Sequence, residues 1–88
     1  MHMTTAEIRL WLQQELAGLM EIAPSDLPFD IALTKLGVDS LVAVRLAGVI
    51  GERFAIVVEP TVMFDYPSID ALAAYLHSNN LASTPEAV

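Results

Sequence analysis

Apolar residues recur at helical spacing in three stretches of the chain, separated by segments in which proline, glycine and charge interrupt the pattern. From about Thr4 to Met20, the residues Ile8, Trp11, Leu12, Leu16 and Leu19 share one face, while Arg9, Gln13, Gln14 and Glu21 fall largely off it. Thr4 followed by Glu7 matches a capping box: the threonine oxygen takes an unpaired amide and the glutamate reaches back. A first helix is therefore predicted to start there, with Trp11 as a packing residue. Pro24 and Pro28 forbid its continuation and open a connection running to about Asp39, longer than most loops in a small domain. Phe29, Leu33, Leu36 and Val38 are available to pin that connection to the core. A short helical turn is expected around Ile31 to Lys35, and Gly37 suits a left-handed cap.

The second stretch predicts a helix from Ser40 to about Arg53. Leu41, Val44, Ala47 and Ile50 form the stripe expected to be buried, with Leu46 and Phe54 beside it. Gly48 and Gly51 would each weaken this helix by about 1 kcal/mol relative to alanine if exposed. Phe54 to Val58 reads locally as a strand, but nothing else in the chain could pair with it, so an extended, buried connection is expected. Pro60-Thr61 begins a short helical piece, Val62 to Asp65, stopped by Pro67. Ser68 is a good N-cap for a last helix, with Asp70 complementing its dipole. Ile69, Leu72, Ala73 and Leu76, joined by Tyr75, make its core face, and its end is expected near Asn79 or Asn80. The pattern defines an all-α fold: a four-helix bundle of three long helices and one short, with a long first loop.

Composition narrows the function classes. The 88 residues allow one small domain, and a hydrophobic fraction of 55% is that of a packed chain rather than a disordered tail. A net charge of −7 argues against nucleic acid, whose phosphates demand a basic surface, and against a basic membrane-surface helix. A protein partner is the expectation, with the domain itself monomeric. Zero cysteines exclude disulfides, thiolate metal sites and thiol chemistry supplied by the chain. His2 and His77 are far apart in sequence, so no metal site is expected. No secretory leader or membrane-length apolar run is visible, and a cytoplasmic setting is the default. Residues 1–3 read as an N-terminal extension or cloning scar, 4–80 as the domain, and 81–88 as a flexible tail or linker.

One constellation carries chemistry. In Leu36-Gly37-Val38-Asp39-Ser40-Leu41, at the junction of the long loop and the second helix, Ser40 stands where a helix begins. Unpaired amides and the positive helix end would stabilise a phosphoester on its oxygen. Gly37 keeps bulk away, and Asp39 could help hold a divalent cation beside an incoming pyrophosphate. Leu41 stands to be partly exposed beside the serine. The plain alternative is that Ser40 is an ordinary N-cap. No nucleophile elbow, phosphate-cradling loop or acid–base pair is selected elsewhere, so no catalytic residue is assigned.

From about Glu7 to Leu76 the chain resembles the acyl carrier protein family, whose members bear a 4′-phosphopantetheine arm. The resemblance rests on Leu36-Gly37-Val38-Asp39-Ser40-Leu41, Ala43-Val44-Arg45-Leu46 and Phe54. It continues through Pro60-Thr61, Phe64-Asp65-Tyr66-Pro67-Ser68-Ile69 and Leu72-Ala73-Ala74-Tyr75-Leu76. It implies that Ser40 is the attachment residue, modified by a phosphopantetheinyl transferase from coenzyme A and Mg²⁺. It further implies a non-catalytic domain whose arm carries acyl groups as thioesters. Asp39 before the serine and the Phe-Asp-Tyr-Pro block look like polyketide synthase carriers, whose partners would be a ketosynthase, an acyltransferase or other biosynthetic enzymes.

By the family pattern the second helix and adjoining loops would be the docking surface. Here Val42, Arg45, Gly48, Val49 and Glu52 are expected to be exposed, with Arg45 where the family often has glutamate. Docking is therefore expected through Leu41, Val42 and Val49, with Arg45 on the same surface and acid from Asp39, Glu52, Glu59, Asp65 or Asp70. Two alternatives stand beside this reading: an unmodified helical docking module, and a peptidyl carrier of a nonribosomal peptide synthetase. A small hydrolase has little support, because no base is visible for Ser40.

Overall fold

The computed structural model describes residues 3–83, with side chains through Asn79. Four α-helices follow one another among them: α1 (Thr5–Met20), α2 (Ser40–Phe54), α3 (Val62–Asp65) and α4 (Ile69–Ser83). No strand occurs among the described residues. Thr4 caps α1 as expected: its Oγ1 accepts from Glu7 N at 3.1 Å, and Glu7 Oε1 accepts from Thr4 N at 2.8 Å. The helix ends with Glu21 in the left-handed region, where Glu21 N and Ile22 N donate to Gly18 O and Ala17 O.

Loop 1 (residues 21–39) carries two 3₁₀ turns, Pro24–Asp26 and Leu33–Leu36. The second lies slightly later than the expected Ile31 to Lys35. Gly37 ends it at φ 100°, a conformation glycine adopts without a Cβ penalty. Leu27, Leu33 and Val38 are buried, and Phe29 and Leu36 pack against the core, so the loop is pinned by its own side chains.

The core joins Ile8, Leu12, Leu16 and Ala17 of α1 to Ala43, Leu46, Ala47 and Ile50 of α2. Met63 closes it from α3, and Ile69, Leu72, Ala73 and Leu76 from α4. Trp11 is half-buried and meets Phe54 edge-on at 5.7 Å between ring centroids. Tyr75 stacks on Tyr66 at 4.3 Å. α1 packs most extensively on α4 and then on α2.

Three expectations are corrected. On α2, Leu41 and Val44 are exposed, and the buried stripe is Ala43, Leu46, Ala47 and Ile50; relative to the expected stripe, the helix is rotated so that Ala43 and Leu46 replace Leu41 and Val44 in the core. The Phe54–Val58 segment is not a buried extended run. Phe54 ends α2, Ala55 is left-handed, and Val57 is 93% exposed, while Ile56 and Val58 are half-buried. Finally, α4 continues to Ser83, past Asn80, so residues 81–83 of the expected tail are helical. Residues 84–88 of that tail, and residues 1 and 2 with His2, lie outside the described residues; Met3 packs against the core.

The two glycines of α2 have different surroundings. Gly48 faces open space. A Cβ on Gly51 would lie 2.9 Å from Ile56 O, because the chain folds back over the helix end as Ile56 N donates to Gly51 O.

Candidate functional site

Ser40 is the first residue of α2 and is exposed. It does not cap the helix. Asp39 is the N-cap, and its Oδ1 accepts from Val42 N at 3.0 Å. The Asp39 carbonyl accepts from Ala43 N at 2.9 Å. The carboxylate thus fills the capping role that the hydroxyl was equally suited to, and the Ser40 hydroxyl makes no hydrogen bond among the described residues. The Ser40 and Leu41 amides, the first two of the helix, have no intrahelical acceptor and sit at its positive end.

What precedes the serine is firmly held. Val38 is buried, and its N–H donates to Leu33 O at 3.0 Å. The left-handed Gly37 turns the chain between that anchor and the exposed pair Asp39-Ser40. The result is a hydroxyl presented to solvent next to a core-anchored segment, beside Leu41, which is 59% exposed. A phosphodiester fits here: the oxygen is uncommitted, the adjacent amides are unpaired, and Gly37 adds no side chain to the approach.

The other residues assigned to the site divide. Leu41, Arg45 and Glu52 lie on the exposed face of α2, as does Asp65 on α3. Val42 is half-buried against the core and Val49 is half-buried, so the exposure expected of them is reduced. Val44, 53% exposed, takes that place. Helical periodicity alone could not have separated Val44 from Ala43, since adjacent residues differ only by how the helix is rotated. Asp70 is paired within the domain: its Oδ1 accepts from Arg9 Nη1 at 2.8 Å, and its side chain is 42% exposed. Phe64, not assigned to the site, is half-exposed on α3. Among the described residues no group of three or more potential ligands could hold a metal ion, and no helix is long and apolar enough to cross a membrane.

Residues 10–76 match the family model described as a phosphopantetheine attachment site, and the chain belongs to that family. It is a phosphopantetheine attachment domain homologous to carrier domains of polyketide synthases, and the cofactor of the family, 4′-phosphopantetheine, is bound covalently. The carrier family is non-catalytic. The chain is 38% identical over 71 residues to a phenolphthiocerol/phthiocerol polyketide synthase of Mycobacterium tuberculosis, covering 81% of this chain and 4% of that protein. It is 36% identical over 64 residues to mycoketide-CoA synthase of the same organism, covering 73% of this chain and 2% of that one. The chain thus spans a few hundredths of the length of these relatives.

Solved structures agree in fold. A free-standing peptidyl carrier protein from Acinetobacter baumannii superposes with a TM-score of 0.83 at 33% identity, covering 85% of this chain and 94% of that one. The HMG-ACPI domain of the CurA module from Lyngbya majuscula gives a TM-score of 0.83 at 27% identity, covering 93% and 90%.

Proposed function

We propose that Ser40 is the residue that takes the 4′-phosphopantetheine arm, and that the domain works as an acyl carrier in polyketide biosynthesis. The observation that carries this reading is the uncommitted, exposed Ser40 hydroxyl at the start of α2, with Asp39 already capping the helix. A phosphopantetheinyl transferase acting with coenzyme A is the modifying partner: the Ser40 oxygen bonds to the phosphorus that bears the pantetheine arm, and the pyrophosphate bond of coenzyme A breaks. Adenosine 3′,5′-bisphosphate leaves, and the serine proton passes to solvent or a base of the transferase. Once bound, the group supplies a terminal thiol that holds acyl cargo as a thioester. The protein's own contribution is to hold the attachment oxygen still, offer the Ser40 and Leu41 amides to the phosphodiester, and present Leu41 and Val44 beside it.

The polyketide assignment draws on the relatives named polyketide synthase and on Asp39 before the serine. A ketosynthase and an acyltransferase are then the partners to be met, in the cytoplasm where coenzyme A is available. The peptidyl carrier alternative is supported by the Acinetobacter baumannii structure, and challenge of the loaded domain with polyketide and peptide partner enzymes separates the two. The attachment itself is tested by incubation with a phosphopantetheinyl transferase and coenzyme A, followed by intact mass. One arm's mass is expected on the wild type and none on Ser40→Ala. An unmodified wild type, or a Ser40→Ala variant that still gains the arm, overturns the assignment.

A further inference from the structure

Loop 1 is fastened to the start of α4 by a cluster that draws residues from three elements. Arg9 of α1 donates through Nη1 to Asp70 Oδ1 at 2.8 Å, and its guanidinium lies over the Phe29 ring, 5.4 Å from the centroid. Phe29 O in turn accepts from Asp70 N at 2.9 Å. The circuit closes on itself: Asp70 holds Arg9 by its carboxylate and Phe29 by its amide, and Arg9 covers Phe29.

A second backbone bond, Leu33 N to Pro67 O, and the Leu33–Val38 bond carry the connection toward Asp39 and Ser40. Elsewhere, Gln13 Nε2 ties Leu27 O to α1 at 3.0 Å. The Arg9 and Asp70 side chains are 34% and 42% exposed, so solvent and salt reach the pair.

We propose that the Phe29–Val38 segment is a strap that opens as a unit while the helices stay folded, and that the Arg9–Phe29–Asp70 clasp makes its opening sensitive to ionic strength. In this opening the whole segment unfolds cooperatively: the Asp70–Phe29 and Leu33–Pro67 bonds and the segment's own Leu33–Val38 bond break together, the buried Leu33 and Val38 side chains leave the core, and the base on which Ser40 is held is released. Its consequence for modification rests on the reading of Ser40 above; the strap itself does not.

Hydrogen exchange of the full chain, followed by NMR without any transferase, tests the strap independently of that reading. The Asp70, Leu33 and Val38 amides should exchange through one common opening, faster than the α1 and α2 core amides of Leu12 and Ile50. In Arg9→Gln, exchange at the three should rise about threefold, the scale of an exposed ion pair with a cation–π contact, with Leu12 and Ile50 unchanged. Arg9→Lys should recover part of the protection. Raising salt to about 1 M, where the Debye length is ~3 Å, should move the wild-type strap amides toward the Arg9→Gln rates and leave the variant's own rates unchanged. The proposal is overturned if the three amides exchange only with the core, if Arg9→Gln accelerates all amides equally, or if salt has no selective effect on the wild type.

Discussion

The two faces of α2 are both rich in apolar residues, yet they do different things. Leu46 and Ile50 are buried with Ala43 and Ala47, and the alanines let the helix sit close against its neighbours. On the opposite face, Leu41 and Val44 are more than half exposed, with Arg45, Gly48 and Glu52 around them. Hydrophobicity therefore does not by itself say which face is the core: the buried face is the one whose shapes interlock, whereas the exposed one runs away from Ser40 along the surface.

The largest break in this comparison is expected from Leu46→Ala, which removes a side chain that is 1% exposed. It should cost about 2–5 kcal/mol by lost burial and residual cavity, read as a fall in the urea midpoint. The α2 glycines give the next contrast. Gly51→Ala should destabilise by about 1–3 kcal/mol, because the new Cβ meets the Ile56 carbonyl and backbone must shift. Gly48→Ala meets open space and should instead stabilise the helix by about 0.5–1 kcal/mol. Equal effects from the two substitutions would show that the helix end is not folded back as described.

The smallest stability effect should come from Leu41→Ala, within about 0.5 kcal/mol of wild type because the side chain is largely in water already. If Ser40 takes the arm as proposed, its effect should appear as a raised KM of a phosphopantetheinyl transferase for the domain, with little change in urea midpoint. A Leu41→Ala variant as unstable as Leu46→Ala would mean that the two faces have been misassigned.

Much of this was legible from local chemistry. The Thr4–Glu7 capping box, the Ser68 cap and the breaks at Pro24 and Pro67 depend on neighbours within a few residues, and the helices begin and end accordingly, apart from the extension of α4 to Ser83. Ser40 at a helix start was equally readable. As a cap the sequence suggested only Ser40, whereas Asp39, an equally good capping residue one position earlier, takes that role. The choice matters because it leaves the hydroxyl uncommitted. The clasp was hidden for a different reason: Arg9 and Asp70 lie in separate helices, and their meeting depends on how α1 and α4 pack.

The amino-acid sequence by itself determined the helical periods, the long proline-started loop, the absence of any thiol and the serine at the head of the second helix. These follow from spacing and composition, which act locally. Only the tertiary structure decided that Val44 faces water while Ala43 is buried, that Gly51 is required by a carbonyl above it while Gly48 is not, and that Asp70 pairs with Arg9 and loop 1. Each of those depends on the rotation of one helix against another or on the return of a distant segment. A helical repeat leaves that rotation free until the core is packed.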